Sequence, residues 1–164
     1  MSPDSTPERA TVPSRKDYLA RRPETPTSMI ELRACIDVDD LDKAIAFYTQ
    51  VLGLKVGRRL GPDWAELLGA SSPIDLLLTR PGSPASPGST ATRDFRRHWT
   101  PVHLDFSVTD IEAVVQRAQA AGATLDRDIQ QRPYGRMANL ADPFGNGFCL
   151  LEFQGRGYDA LTGG

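Results

Sequence analysis

The chain has 164 residues, enough for one domain with its own hydrophobic core but too few for two ordinary ones. Its formal charge of -2 gives no basic field for phosphates, which argues against a nucleic-acid partner. The longest apolar runs are too short to span a bilayer, and we therefore expect no membrane partner. Two cysteines, Cys35 and Cys149, make no disulfide framework, and no apolar signal segment follows the first Met, so we expect a soluble cytoplasmic protein.

Composition divides the chain into an arm, a domain and a tail. Residues 1–28 contain five prolines among Ser, Thr, Arg and Glu, a mixture that cannot bury enough apolar surface to offset the entropy lost on ordering. We therefore expect a mostly disordered N-terminal arm. A single domain is expected over residues 29–154, with halves at 29–80 and 99–154. The tail at 155–164, which includes Tyr158, is expected to lie on the surface; the alternative is that it crosses the mouth of the cavity or a partner subunit.

The two halves are related by an internal duplication. The segment 30–53 recurs in altered form about seventy residues later, and each copy runs from an alternating strand through an acidic turn into an amphipathic helix. The shift places Asp40 on Asp110, at the start of each helix, and Arg33 on His103, in each first strand. The two equivalent first strands therefore carry side chains with different chemical properties.

The first half is predicted to be a βαβββ unit. Its helix begins at Asp39 or Asp40 as the N-cap residue and ends at Gly53. Gly-Pro and Ser-Ser-Pro turn signals separate the later strands. The predicted strands are 30–38, 54–60, 64–68 and 74–79.

The second half repeats the βαβββ order. Its helix is predicted to open with a capping box of Thr109 and Glu112 and to end at Gly122. The Asp-Pro-Phe-Gly-Asn segment at 142–146 makes the turn before the last strand. A segment rich in Pro, Gly, Ser, Thr and Ala at 81–94 is expected to be a flexible linker between the halves. The predicted strands are 101–108, 123–127, 136–140 and 147–153.

Three segments, in this order, resemble the vicinal oxygen chelate superfamily. They are Val-Asp-Asp-Leu with the helix ending in Phe-Tyr-Thr-Gln-Val-Leu-Gly-Leu at 38–54, His-Leu-Asp-Phe-Ser-Val at 103–108, and the turn at 142–146. That superfamily includes glyoxalase I, extradiol dioxygenases, fosfomycin-resistance enzymes and bleomycin-binding proteins. The resemblance implies an α+β fold in which paired βαβββ modules curl into an incomplete barrel. The concave face of that barrel holds a divalent metal or a bound drug, and by analogy we expect a homodimer.

Metal-binding members of that superfamily take ligands from the first and last strands of each module, usually His, Glu or Gln. The resemblance places Arg33, Asp75 (Leu77 in an ungapped match), His103 and Cys149 at these positions. Arginine has no lone pair to give, and its charge about 5 Å from a divalent ion would cost roughly 6 to 7 kcal/mol at an effective dielectric near 20. We therefore favour a cavity without a tightly bound metal. The alternative is a divalent metal held by Asp75, His103 and Cys149.

Strand alternation directs a mixed polar group to the inward faces of the two first strands. Arg33 is suited to a ligand carboxylate or phosphate, and His103, oriented by Asp105, is suited to act as a general base. The alternative for Arg33 is neutralisation by an acid such as Asp75 or Asp105. The inward-facing residues are Arg33, Cys35, Asp37, His103, Asp105 and Ser107.

Aromatic residues are candidates for a wall that stacks a planar ligand, with core packing as the alternative. These residues are Trp64, Trp99, Tyr134 and Phe144. We expect a protein resembling the glyoxalase and bleomycin-resistance group, including its antibiotic-resistance members, that binds a small organic, anionic or planar molecule. One alternative is an enzyme of that fold, a lyase, isomerase or dioxygenase that uses His103. Another is an interaction module formed by the arm and tail.

Overall fold

The computed structural model describes residues 32–162. The predicted arm at 1–28, and residues 30 and 31 of the first predicted strand, lie outside the described residues. Within residues 32–162, every helix falls short of the length and apolar character that a membrane crossing requires.

The first module contains four strands and one helix: β1 (Ala34–Val38), α1 (Leu41–Leu52), β2 (Lys55–Arg59), β3 (Trp64–Leu68) and β4 (Ile74–Leu78). Helix α1 begins where the Asp40 side chain accepts a 3.0 Å hydrogen bond from the Lys43 backbone N–H. It ends at Gly53, whose φ of 67° is left-handed and costs a glycine little. Both predicted ends of this helix are confirmed.

The second module contains β5 (Leu104–Ser107), α2 (Ile111–Ala120), β6 (Thr124–Arg132), β7 (Gly135–Ala141), β8 (Gly147–Phe153) and a short 3-10 turn (Gly157–Ala160). The capping box predicted from Thr109 and Glu112 is wrong. The N-cap is Asp110, whose side chain accepts a hydrogen bond from the N–H three residues on, and Glu152 of β8 accepts one from the Ile111 N–H at 2.9 Å. Two carboxylates therefore accept hydrogen bonds from backbone N–H groups in the first turn of this helix.

Each module forms its own four-stranded mixed sheet, with strand orders β1-β4-β3-β2 and β5-β8-β7-β6. In both sheets the first and last strands pair in parallel, and the remaining pairs are antiparallel. The α+β class with paired βαβββ modules is confirmed, and within the described residues the sheets do not close into a barrel. By register, the equivalent residues are Cys35 and Asp105, Asp75 and Cys149, and Glu66 and Asn139.

The two modules share one hydrophobic core because α1 and α2 pack against each other between the helix-facing sides of the sheets. Phe47 of α1 contacts Phe148 of β8 edge-on, with ring centroids 6.4 Å apart. Tyr48 donates a 2.7 Å hydrogen bond to the buried Asp142 carboxylate. Since successive strand residues alternate in direction, the other side of each sheet, here called its open face, points away from this core.

The segment predicted to be a flexible linker contains a hydrogen-bonded turn. The Ala85 N–H donates to the Ala91 carbonyl, and the Arg93 N–H donates to the Ser83 carbonyl, both at 2.8 Å. The Arg93 side chain also donates to the Asp37 carboxylate at 2.6 Å, which attaches this segment to the end of β1.

Candidate functional site

Three side chains that carry possible metal-ligand atoms meet on the open face of the second sheet. One donor atom from each of His103, Asp105 and Cys149 lies within 4.8 Å of the others, and we call this set the second-module group. Asp105 and Cys149 are brought together because they are partners in the parallel pairing of β5 and β8. His103 Nε2 lies 3.2 Å from Asp105 Oδ1, and Asn139 Nδ2 donates to Cys149 Sγ at 3.3 Å.

The members of this group differ in burial and therefore in chemistry. Cys149 is buried, whereas His103 and Asp105 are exposed. Burial, reinforced by the negative charge of Asp105, raises the pKa of the Cys149 thiol to about 12, so this thiol is protonated at neutral pH. The Asp105 carboxylate can orient the His103 imidazole by accepting a hydrogen bond from its Nε2–H. The group thus offers both proton donors and proton acceptors to a bound molecule.

Trp99 forms a wall beside this group. Its ring lies edge-on to the His103 ring with centroids 5.3 Å apart, and its indole N–H donates to Asp126 at 3.0 Å. The Arg97 guanidinium lies 5.0 Å from the Trp99 ring centroid. A Cβ at Gly147 would lie 2.7 Å from the indole, so the ring can rest against β8 only because residue 147 is a glycine.

A second aromatic cluster lies farther along the same face. Tyr134, Phe153 and Tyr158, which we call the aromatic trio, have ring centroids 4.8 to 6.3 Å apart. Of these, the sequence indicated only Tyr134. Phe153 could have been found, because it shares the alternation of Cys149 along β8, but the return of the tail carrying Tyr158 has no sequence signal. Phe144 is 1% exposed within the shared core, and for this residue core packing is the arrangement observed.

The open face of the first sheet holds an ion network formed by Arg33, Arg58, Glu66 and Asp75, here called the first-module network. Arg33 donates to Asp75 at 2.7 and 2.9 Å and to Glu66 at 2.8 Å. Arg58 donates to Glu66 at 2.6 and 2.8 Å. Glu66 and Asp75 are each 3% exposed, and such buried carboxylates are costly unless they are paired. Hydrogen bonds from Arg58 and then Arg33 lower the pKa of Glu66 to about 2.

The residues predicted to line one cavity are thus divided between two sheets. Arg33 and Asp75 lie in the first-module network, whereas His103 and Cys149 lie in the second-module group. Cys35 is exposed on the first sheet, opposite Asp75. Arg33 was expected to bind either a ligand anion or an acid of the chain. Its contacts with Asp75 correspond to the second alternative.

A divalent metal is implied by the superfamily, and the second-module group fits one by chemistry. His103, Asp105 and Cys149 supply nitrogen, oxygen and sulfur donors of the kinds that zinc accepts, and three protein ligands leave a position open. Binding would require the Cys149 thiol to lose its proton. Asp75, which the sequence suggested as a ligand, lies on the first sheet instead, where it accepts hydrogen bonds from Arg33.

A separate cavity of about 870 Å³ lies where the linker segment meets the end of β1 and the turn at 142–146. It is lined partly by Arg93, Arg96 and Arg97. Each of these guanidinium groups forms an ion pair; the acid partners are Asp37, Asp94 and Asp126, respectively. The charges at this cavity are therefore largely neutralised within the chain.

Comparisons with known proteins agree with this architecture. The model of a glyoxalase-like domain family matches residues 33–151. The chain is 32% identical over 126 residues to the anthracycline biosynthesis protein DnrV of Streptomyces peucetius; the match covers 77% of this chain but only 42% of that relative. It is 33% identical over 117 residues to the uncharacterized protein Rv0887c of Mycobacterium tuberculosis, covering 69% of this chain and 68% of that protein.

Solved structures with the same fold come from several bacteria. The antibiotic binding protein TnmS3 from Streptomyces sp. CB03234 has a TM-score of 0.55 at 22% identity, covering 79% of this chain and 100% of that one. The fosfomycin resistance protein FosX from Listeria monocytogenes has a TM-score of 0.57 at 18% identity, covering 79% and 96%. A glyoxalase/bleomycin resistance protein/dioxygenase family enzyme from Burkholderia phytofirmans has a TM-score of 0.56 at 25% identity, covering 74% and 97%. This chain therefore belongs to the glyoxalase-like domain family, within the vicinal oxygen chelate superfamily.

Proposed function

We propose that this chain binds a small planar organic molecule on the open face of its second sheet, without a tightly held metal. The observation that carries the proposal is the position of the second-module group between Trp99 and the aromatic trio. Polar groups that converge beside aromatic surfaces are typical of sites that bind small molecules.

The order of residues along β8 supports this arrangement. Gly147, Cys149, Leu151 and Phe153 alternate onto the same face of the strand, with Trp99 against the first of them and the aromatic trio around the last. The distance from the first to the last of these four is about 20 Å at 3.3 Å per residue. A ligand of three or four fused rings would fit along this length.

The chemistry of the face suggests how such a ligand would be held. Aromatic side chains stack on planar rings, while the His103 imidazole and the Asp105 carboxylate can hydrogen-bond to hydroxyl or carbonyl groups at the ligand edge. The relative DnrV is named for anthracycline biosynthesis. Anthracyclines carry planar fused rings with such groups at the edge, and we extend that chemical class to this chain as part of the proposal.

A homodimer would close the site. Leu32 and Val102 are equivalent by the seventy-residue shift, and they are 71% and 79% exposed beside Arg33 and His103. We propose that the open face of the first sheet in one copy packs beside the open face of the second sheet in its partner. This pairing would bury both apolar side chains and would bring the polar residues of the two faces around one cavity.

The second candidate function is an enzyme. The 3.2 Å contact between His103 and Asp105 favours it, because a carboxylate beside an imidazole suits a general base. If a zinc ion were held by the second-module group, it would act as a Lewis acid toward a ligand oxygen. Activity that chelation abolishes and metal restores would identify this form.

A binding titration tests the primary proposal. Anthraquinone-2-sulfonate, a planar anionic probe, is added to the purified chain while tryptophan fluorescence is followed; 4-cyclohexylbutanoate, an anionic molecule without flat rings, is the control. Saturable quenching by the planar probe alone is expected. Equal responses to both molecules, or none to either, would contradict the proposal.

Elemental analysis after dialysis separates the two candidate functions. The primary proposal expects less than stoichiometric divalent metal. A stoichiometric ion that remains after dialysis, and that His103→Ala removes, would favour the metal-dependent enzyme.

A further inference from the structure

Two side chains on the open face of the second sheet are more deeply buried than side chains on an uncovered sheet face would be. Cys149 and Leu151 lie on the side of β8 that points away from the shared core, and the shared core of the described residues does not include them. Each is nevertheless only 4% exposed. Their burial therefore requires cover from groups on the open side of the sheet.

The C-terminal 3-10 turn is positioned to supply part of this cover. Tyr158 lies on the turn with its ring centroid 4.8 Å from that of Phe153 and 5.0 Å from that of Tyr134. The Tyr134 hydroxyl contacts the sulfur of Met137 at 3.5 Å, and Met137 is the β7 partner of Leu151. The aromatic trio thus adjoins the strand pair that contains Leu151.

The second-module group contributes to the electrostatic environment of Tyr158. Burial raises the pKa of the Tyr158 hydroxyl, and the negative charge of Asp105 adds to the effect. The Tyr158 side chain is also half exposed, so one side of it is accessible to a ligand.

We propose that Tyr158 is a specificity-determining residue, held by the C-terminal turn as a strap over the floor formed by Cys149 and Leu151. The ring restricts the site to flat molecules, on which it stacks, and its hydroxyl hydrogen-bonds to a carbonyl or hydroxyl group at the ligand edge. The ligand class is a fused-ring aromatic molecule with oxygen at its rim. This inference rests on the proposed function, and the turn lies outside residues 33–151, the region that the family model matches.

Thiol reactivity tests the strap without any ligand. In a Cys35→Ser background Cys149 is the remaining thiol, and its reaction with dithionitrobenzoate is followed for added Tyr158→Ala, Tyr158→Phe and Leu161→Ala substitutions. Leu161 is an exposed apolar residue three positions beyond Tyr158 and serves as the matched control. Tyr158→Ala is expected to increase the rate about fivefold, because the ring no longer covers the thiol, and the other two should leave it unchanged. A Tyr158→Ala rate equal to that of Leu161→Ala would overturn the strap.

Probe binding tests the role in specificity. Tyr158→Ala should weaken anthraquinone-2-sulfonate binding about fivefold, the loss expected for one stacking contact, and Tyr158→Phe about twofold. Leu161→Ala should bind like the parent chain, and thermal unfolding should confirm that each variant is folded. If the parent binds the probe and Tyr158→Ala binds equally well, the specificity role fails and the proposed function stands. If the folded parent binds no probe, the proposed function fails and the ligand-selecting role with it, while the thiol rates still decide on the strap.

Discussion

At equivalent positions on the two open faces, the first sheet carries Arg33, Glu66 and Asp75, and the second carries His103, Asn139 and Cys149. On the first face, two guanidinium groups donate hydrogen bonds to two buried carboxylates, so these charged groups are paired with one another. On the second face, a buried thiol lies beside an exposed imidazole and an exposed carboxylate. The two sheets thus share one backbone register, but the first carries an ion network at positions where the second carries a thiol, an amide and an imidazole.

The largest expected difference between the two faces is in stability. Asp75→Ala removes the main partner of Arg33 and should lower the free energy of unfolding by about 3 kcal/mol. The equivalent change on the second face, Cys149→Ala, removes only a small buried group and should cost about 1 kcal/mol. Urea unfolding at neutral pH measures both values. Equal losses would show that the first-module network is no more important to folding than its counterpart.

The first-module network should make the stability of the protein sensitive to pH. The pKa of Glu66 is lowered from its ordinary 4.5 to about 2, so its stabilising contribution is complete above pH 4.5 and is lost as the pH falls toward 2. Glu66→Gln should destabilise the chain by about 2 kcal/mol at neutral pH, and that difference should shrink across this window. Urea unfolding from pH 2 to 7 checks this, with Asp42→Asn, an exposed acid, as the control. A constant difference between parent and Glu66→Gln would contradict the assignment.

On the second face, the position of Trp99 should depend on Gly147. Gly147→Ala places a Cβ against the indole and should expel the ring from β8, with a stability loss of about 1 kcal/mol. The test uses a Trp64→Phe background, which leaves Trp99 as the single tryptophan. That change should be tolerated, because the buried Trp64 indole N–H has no hydrogen-bond partner among the described residues. Expulsion predicts a red-shifted emission, and an unchanged spectrum would mean that the glycine does not seat the ring.

The sequence predicted the elements better than the contacts between them. Strands 64–68 and 147–153 agree with the structure to the residue, since alternation and turn signals mark both ends. Strand β6 runs on to Arg132, five residues beyond the predicted end, because its pairing with β7 continues where apolar alternation has stopped.

The site was predictable only in part for the same reason. The sequence offered Asp75 as a neutraliser of Arg33, and it placed His103 and Cys149 on the first and last strands of one module. Glu66 escaped notice because its place beside Asp75 depends on the register of β3 and β4, which local patterns do not determine. For the tail that carries Tyr158, a path across the cavity could be offered only as an alternative to a surface position, because a chain return after the last strand depends on tertiary packing.

The central claim is that the open face of the second sheet is the ligand face, and the indole N–H resonance of Trp99 tests it most directly. In the Trp64→Phe variant, this single indole signal is followed by ¹H–¹⁵N NMR while anthraquinone-2-sulfonate is added. Because Trp99 lies against His103, bound aromatic rings should shift its resonance progressively to saturation. A folded protein whose Trp99 signal stays unmoved through the titration would contradict the claim.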